Sequence, residues 1–311
     1  MCFSSPLQEL TDVLDGCSLF VKREDLLPFS FGGNKYRIAC EFFRDMEEKG
    51  YDCIIGYGNV RSNMCRAVAN IAKSRNIPCF IISPKDNGDR VLSTTSNSTI
   101  VSLCDAIVYS CERSEVSSTI EKCINDCISM GLKPYYINGN KYGRGNEKTQ
   151  VIAYYKVYKE IRQQSKEIGK QFDYIFITTG TGMSLAGLIA GQIESYGTEH
   201  IVGLSIAREK ETEIGIVTNL VNAFYDYNTP STFDVEIDDS GLCGGYGLYN
   251  KEIIDTVKFM LTNYGLPLDF TYTGKAFTAM IKYLKRNSIH GNVLFIHTGG
   301  TPLFFDNLHS L

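Results

Sequence analysis

Lys35 closes the run Phe31-Gly32-Gly33-Asn34-Lys35 and is the best candidate in this chain for covalent chemistry. The two glycines remove side-chain bulk from its approach, so backbone and a planar ligand can come close together. A lysine held partly out of water loses its preference for the charged form and becomes a neutral amine. Neutral amines attack aldehydes, and the aldehyde that lysines most often hold covalently is pyridoxal phosphate (PLP). Taken alone, the same residues also describe a solvated lysine after a glycine turn, so the reading rests on what the other motifs add.

A second glycine turn reads Thr178-Thr179-Gly180-Thr181-Gly182-Met183-Ser184. It follows a strand pattern and opens a helix pattern, where unsatisfied N–H groups carry partial positive charge and receive a phosphate. A tight turn with a hydroxyl cap fits it equally well. The third glycine of a dinucleotide-binding fingerprint is absent, which argues against a Rossmann-type dehydrogenase. Between the two turns lies Gly58-Asn59-Val60-Arg61-Ser62-Asn63-Met64, again a strand, turn and helix start. There Ser62 or Asn63 serves either as a helix cap or as a receiver of a carboxylate or ring oxygen, with capping favoured. Near the carboxyl end stand Gly245-Tyr246-Gly247, Tyr272-Thr273-Gly274-Lys275 and His297-Thr298-Gly299-Gly300. Tyr246, between glycines, is accessible, and Tyr272 either fills a core or faces a cavity. Lys275 reads as a helix-face lysine, and His297 as a satisfied core histidine rather than a general base. Thr298 donates to a pyridine nitrogen or to a neighbouring carbonyl.

These segments need elements to position them, and the apolar pattern supplies an alternation. Strands are expected at residues 51–57, 78–83, 100–103, 106–109, 135–137, 174–178, 200–205 and 293–297. Helices are expected at 62–75, 117–130, 150–168, 184–193, 251–263 and 274–285. Such alternation implies an α/β fold with two domains of open, mostly parallel sheets flanked by helices. A larger domain of residues 1–38 and 146–311 and a smaller one of 39–145 follow, with the break in the stretch 139–145 and the ligand in the cleft between them.

With 311 residues, 43% of them hydrophobic, the chain can build a sizeable core. A net charge of −4 with scattered Lys and Arg gives no footprint for nucleic acid. The 11 cysteines form no CxxC pair, so neither zinc spacing nor a disulfide framework is expected, and a reducing, cytoplasmic setting is. No export signal is visible at Met1-Cys2-Phe3-Ser4-Ser5-Pro6, and no apolar run is long enough for a membrane span.

Together, Gly32-Gly33-Asn34-Lys35, Arg61-Ser62-Asn63, Gly180-Thr181-Gly182, Tyr246-Gly247, Tyr272-Thr273-Gly274-Lys275 and His297-Thr298-Gly299-Gly300 resemble the D-cysteine desulfhydrase/1-aminocyclopropane-1-carboxylate (ACC) deaminase family. The similarity runs from about Leu19 to Phe305, and the intervals from Lys35 to Asn63 and from Tyr246 to Tyr272 match the family. It implies PLP as cofactor, the tryptophan-synthase-β type of fold, a small amino acid as substrate and a homodimer. Lys35 would hold PLP and shuttle the α-proton. Asn63 would hydrogen-bond the PLP 3′-oxygen, and Ser62 would meet the substrate carboxylate. Thr179, Gly180, Thr181, Gly182, Met183 and Ser184 would bind the phosphate. Tyr246 and Tyr272 would line the substrate side, and Thr298 would face the pyridine nitrogen with Thr273 beside it.

Within that family, ACC deaminases carry Glu after the second tyrosine and Leu in the HTGG run. Thr273 and Thr298 therefore resemble the D-cysteine desulfhydrase branch, which implies α,β-elimination giving pyruvate, ammonia and sulfide. The chemistry agrees: a hydroxyl cannot stabilise a protonated pyridinium as a carboxylate can, and elimination needs less delocalisation than opening a cyclopropane. Departures at Arg61, Met64 and Ile38, and in the stretch 138–145, leave the substrate open. Arg61 could pair with an acidic substrate arm or point to solvent. ACC deamination, racemisation, β-replacement or a PLP-binding protein without catalysis are the alternatives.

Overall fold

The computed structural model describes residues 3–85 and 94–311; Met1 and Cys2, which open the amino-terminal segment considered above, lie outside the described residues. The chain divides into two compact units, residues 1–34 with 151–311 and residues 35–150. In chain order the elements are β1 (Leu7–Leu10), β2 (Cys17–Arg23), α1 (Asn34–Glu48), β3 (Cys53–Tyr57), α2 (Asn63–Ser74), β4 (Cys79–Pro84) and α3 (Ser96–Leu103). Next come β5 (Ile107–Cys111), α4 (Val116–Ser129), β6 (Pro134–Tyr136), α5 (Glu147–Glu167), β7 (Tyr174–Thr179), α6 (Met183–Ser195) and β8 (His200–Ser205). The remainder is α7 (Lys210–Phe224), β9 (Glu236–Asp238), α8 (Lys251–Tyr264), α9 (Thr273–Arg286), β10 (Gly291–His297) and α10 (Thr301–Asp306).

The larger unit is built on a six-stranded sheet in the order β1-β2-β10-β7-β8-β9. Only β1 runs antiparallel to its neighbour; the other pairings are parallel. Because helices flank the sheet, its central strands are nearly all apolar, as in Val293–Ile296 and Ile175–Ile177, every residue of which is buried. One core joins Val21, Phe176 and Phe295 to Val257 and Met260 of α8 and to Phe277 and Met280 of α9. Helix α6 lies close against α5 at glycines: a Cβ at Gly187 would stand 2.5 Å from Tyr154, and one at Gly191 2.6 Å from Tyr158. That approach anchors the helix that follows the second glycine turn.

The smaller unit carries a four-stranded parallel sheet in the order β5-β4-β3-β6. Its core includes Cys53, Ile55, Phe80, Ile82, Ile120, Cys123 and Cys127, so several thiols behave as small buried hydrophobes. Both sheets are open and mostly parallel, as the alternation implied.

One expected strand is wrong. Residues 100–103 end helix α3, because Thr95 and Ser98 form a reciprocal capping box that starts a helix before the β-branched pair Ile100-Val101 is reached. No helix among the described residues is long and apolar enough to cross a membrane.

An ion pair between buried Lys22 and half-buried Glu160 ties β2 to α5. Lys22, fully buried, donates to Ser5 O at 2.6 Å, to Gln164 Oε1 at 2.8 Å and to the Glu160 carboxylate. Glu160→Ala would remove this carboxylate from a buried ammonium and is expected to lower unfolding stability by about 1–3 kcal/mol. The double variant Lys22→Met/Glu160→Leu is expected to recover most of that loss in urea titrations.

Candidate functional site

The approach to Lys35 is made of backbone. Gly33 N donates to Glu24 O at 2.7 Å, and Asn34 N donates to Thr298 O at 2.9 Å. The two glycine runs meet face to face: a Cβ on Gly33 would lie 2.9 Å from Thr298 O, and one on Gly299 only 2.6 Å from Gly33 Cα. Both residues also hold left-handed φ values, +89° and +99°, so glycine is required for conformation and for space. Asn34 adds a side-chain bond, Nδ2 donating to Ser184 Oγ at 3.0 Å. Lys35 follows directly in the chain, half-buried, and burial pulls its amine down to about 8.

The second glycine turn has the expected form, a strand (β7), three residues and a helix (α6). Gly182 is its left-handed hinge at φ +77°, and a Cβ there would press on Ile216, Leu220 and Val217 of α7. Unsatisfied N–H groups at Met183 and Ser184 open α6, beside the exposed Thr181. Thr179 differs from its neighbours. Its hydroxyl donates to buried Glu213, whose other oxygen lies 3.3 Å from Arg208, so Thr179 has only backbone to offer an anion. The hydroxyl of Thr178, which the sequence did not single out, is buried without a hydrogen-bond partner among the described residues.

Tyr246 and Tyr272 do meet: their hydroxyls are hydrogen-bonded, with rings edge-on at 5.9 Å. Burial pushes the Tyr272 phenol well above its ordinary range, so it stays protonated, whereas Tyr246 is 60% exposed. The loop bearing Tyr246 is held by Lys275, which donates to Leu242 O at 3.0 Å and Gly245 O at 2.7 Å. Lys275 is therefore no solvated helix-face lysine; it is fully buried, and desolvation lowers its pKa. Sequence alone could not show the loop that covers it.

Thr273 and Thr298 part company. Thr273 Oγ1 donates to Asp269 Oδ1 at 2.8 Å and accepts from Asp269 N at 2.8 Å. Asp269 also receives the N–H groups of Thr271, Tyr272 and Thr273, making it the cap of α9. Thr298 spends its carbonyl on Asn34, but its hydroxyl has no partner among the described residues. It is the free hydroxyl of the pair. His297 is buried; its Nδ1 accepts from Gly299 N at 3.2 Å, so Nε2 carries the proton and donates to Pro267 O at 3.2 Å. It is a satisfied core histidine.

In the smaller unit, Ser62 caps α2, its Oγ accepting from Cys65 N at 3.1 Å, and its hydroxyl also lies in hydrogen-bonding contact with the Cys65 thiol. Asn63 is the first residue of that helix, and its Oδ1 accepts from Asn97 Nδ2. Asn97, on α3, was not read as a functional residue. Arg61 donates from Nε to Asn59 Oδ1 at 3.2 Å. Met64 and Ile38 are buried, Ile38 fully, so neither position offers a polar group.

Gly299→Ala is expected to destabilise the protein by at least about 1–3 kcal/mol, from left-handed strain and the clash with Gly33. Gly215→Ala, in the interior of α7 with nothing within 4 Å of the new Cβ, is expected to stabilise it by about 0.5–1 kcal/mol. Opposite signs in chemical denaturation would separate a steric demand from a general intolerance of alanine.

Known proteins bear on this arrangement. The chain is similar in structure to an ACC deaminase homologue, at 25% sequence identity and a TM-score of 0.86 over 99% of this chain and 93% of that one. It shares its fold with a hydrogen sulfide-producing enzyme from Fusobacterium nucleatum (18% identity, TM-score 0.67, 95% and 93% covered). It likewise shares it with O-ureido-L-serine synthase (16% identity, TM-score 0.68, 98% and 93% covered). The architecture is thus the tryptophan-synthase-β-like one. The family model described as pyridoxal-phosphate dependent enzyme matches residues 3–299, nearly the whole chain, and the protein belongs to that family.

Proposed function

We propose that this protein is a lyase of the D-cysteine desulfhydrase type, removing ammonia and a β-leaving group from a small amino acid. The observation that carries the reading is the hydroxyl of Thr298 just after β10, without a partner among the described residues, whereas that of Thr273 is tied to Asp269. A hydroxyl at the pyridine nitrogen suits elimination, which asks for less electron withdrawal than opening a cyclopropane. A longer acid in place of Thr273 would find no room, because Thr273 is fully buried against its own cap.

The residues present fit PLP. In the smaller unit Lys35 supplies a desolvated amine and Asn63 an Nδ2 without a partner among the described residues; in the larger, Thr298 supplies a hydroxyl without such a partner and the start of α6 a set of open N–H groups. Lys35, Asn63, Thr298 and the segment Gly180–Ser184 would hold the cofactor, with Thr179 contributing backbone alone. Bound there, PLP supplies a sink for the electron pair left at the substrate Cα.

The chain's own groups divide the proton work. Lys35 Nζ would take the proton from Cα. Tyr272, kept protonated by burial and paired with Tyr246, donates to the departing sulfur. Ser62 O–H receives the substrate carboxylate. Loss of H⁺ from Cα and of sulfide from Cβ leaves an enamine, which water converts to pyruvate and ammonia.

Arg61 and Met64 favour a second reading, in which the same machinery takes a different amino acid, including one with an acidic arm for the Arg61 guanidinium. A panel of D- and L-amino acids, D-cysteine and ACC among them, followed by pyruvate, 2-oxobutyrate and sulfide, decides between the two. Multiple turnovers of D-cysteine to equal pyruvate and sulfide support the first, and Tyr272→Phe should then lower kcat by about 10²–10⁴ with PLP still bound. Turnover of another substrate without D-cysteine selects the second, and a spectral change without product overturns both.

The lowered pKa of Lys35 fixes a pH dependence. At pH 7.5 an amine of pKa about 8 is about a quarter neutral, whereas one at the ordinary value of 10.5 is about 0.1% neutral. The rate of PLP capture by apo-protein should therefore rise about tenfold per pH unit at low pH and level off above about 8. A rise that continues to pH 10 in stopped-flow absorbance would contradict a desolvated amine.

A further inference from the structure

A single backbone carbonyl fixes the direction of two side-chain amides in the smaller unit. Asn97 is fully buried on α3, and its Nδ2 lies 2.9 Å from Arg61 O and 3.0 Å from Asn63 Oδ1. The Arg61 carbonyl can only accept, so the end of Asn97 that faces it must be the amino end. Reversing Asn97 would set its oxygen against that carbonyl at hydrogen-bond distance. The same amino group therefore faces Asn63, whose oxygen is thereby engaged. What Asn63 has left to present is its Nδ2, which has no partner among the described residues. Asn63 is also the first residue of α2, where open N–H groups already favour a negative oxygen.

We infer that Asn97 is a positioning residue, which orients the amide of Asn63 so that it offers a donor to an acceptor oxygen, the 3′-oxygen of PLP. The inference rests on the role proposed above for Asn63 and adds what sets its polarity. Asn97 Oδ1 is buried without a partner among the described residues, a cost that an apolar side chain would avoid. The amide at this place is accounted for by its two donors.

The test compares holoenzymes carrying Asn63→Ala, Asn97→Ala, Asn97→Asp and the Asn63→Ala/Asn97→Ala pair. Readouts are the PLP dissociation constant by equilibrium dialysis, the pH midpoint of the cofactor's visible absorbance, and the Tm of apo-protein. Asn63→Ala is expected to weaken PLP about tenfold and move the midpoint. Asn97→Ala is expected to move both in the same direction, and the pair to be no worse than Asn63→Ala within about threefold. Asn97→Asp should bind PLP more weakly than Asn97→Ala, because the carboxylate can only accept, which draws Nδ2 of Asn63 inward and turns its oxygen toward the cofactor. A purely structural role would lower Tm without that order. Should Asn97→Ala fail to fold, Asn97→Ser takes its place. Wild-type affinity and midpoint in Asn97→Ala, with Asn63→Ala altered, overturn the inference and leave the role of Asn63 standing. Fully additive losses overturn it as well. An unaltered Asn63→Ala overturns both together.

Discussion

The backbone contact between Gly33 and Gly299 is the constraint on which the larger unit's functional groups depend. At this place two chain segments approach so closely that neither tolerates a Cβ, and the bond from Asn34 N to Thr298 O locks them in register. One side of that lock leads in a single residue to Lys35, and the other carries Thr298, whose hydroxyl has no partner among the described residues. Asn34 extends the lock to Ser184, at the first turn of α6. Thr298 and the start of α6 are thus both tied to Asn34, one through a main-chain bond and the other through a side-chain bond. Side-chain packing alone, with its rotameric freedom, would place them less sharply.

Much of the chemistry at these positions follows from which polar groups are already engaged. Thr179 and Thr273 look like ligand donors in the sequence, yet their hydroxyls serve Glu213 and Asp269. Among the described residues nothing claims the Thr298 hydroxyl, and Asn63 has only its donor end left. Burial sorts the titratable groups in the same way. It draws Lys35 toward the neutral amine and holds Tyr272 in the protonated phenol, so a base and an acid are present in the same pH range. Lys275, likewise dehydrated, is engaged by two carbonyls and holds the Tyr246 loop.

The α/β alternation was legible because buried parallel strands are short apolar runs bounded by glycine and polar turns, as at β7 and β10. The sheet order was not, since β10 lies between β2 and β7, far apart in sequence. Helix α3 was misread at residues 100–103 because two β-branched residues outweighed the Thr95–Ser98 capping box just before them. Helices α1 and α7 were passed over, although α7 braces Gly182 and supplies Glu213. The glycine motifs, the tyrosine pair and the capping role of Ser62 could be read directly, since each is a local demand of backbone or spacing. What Lys275, Thr273 and Asn97 do could not, because each acts through a partner that only the folded chain brings near.

The central claim is that the amine of Lys35 is the one that holds the cofactor. Borohydride reduction of the PLP-loaded protein, followed by proteolysis and mass mapping, tests it most directly. The account predicts a single pyridoxyl-phosphate label, on the peptide containing Gly32-Gly33-Asn34-Lys35. A label on Lys275 or another lysine, or loaded protein with position 35 unmodified, would contradict it.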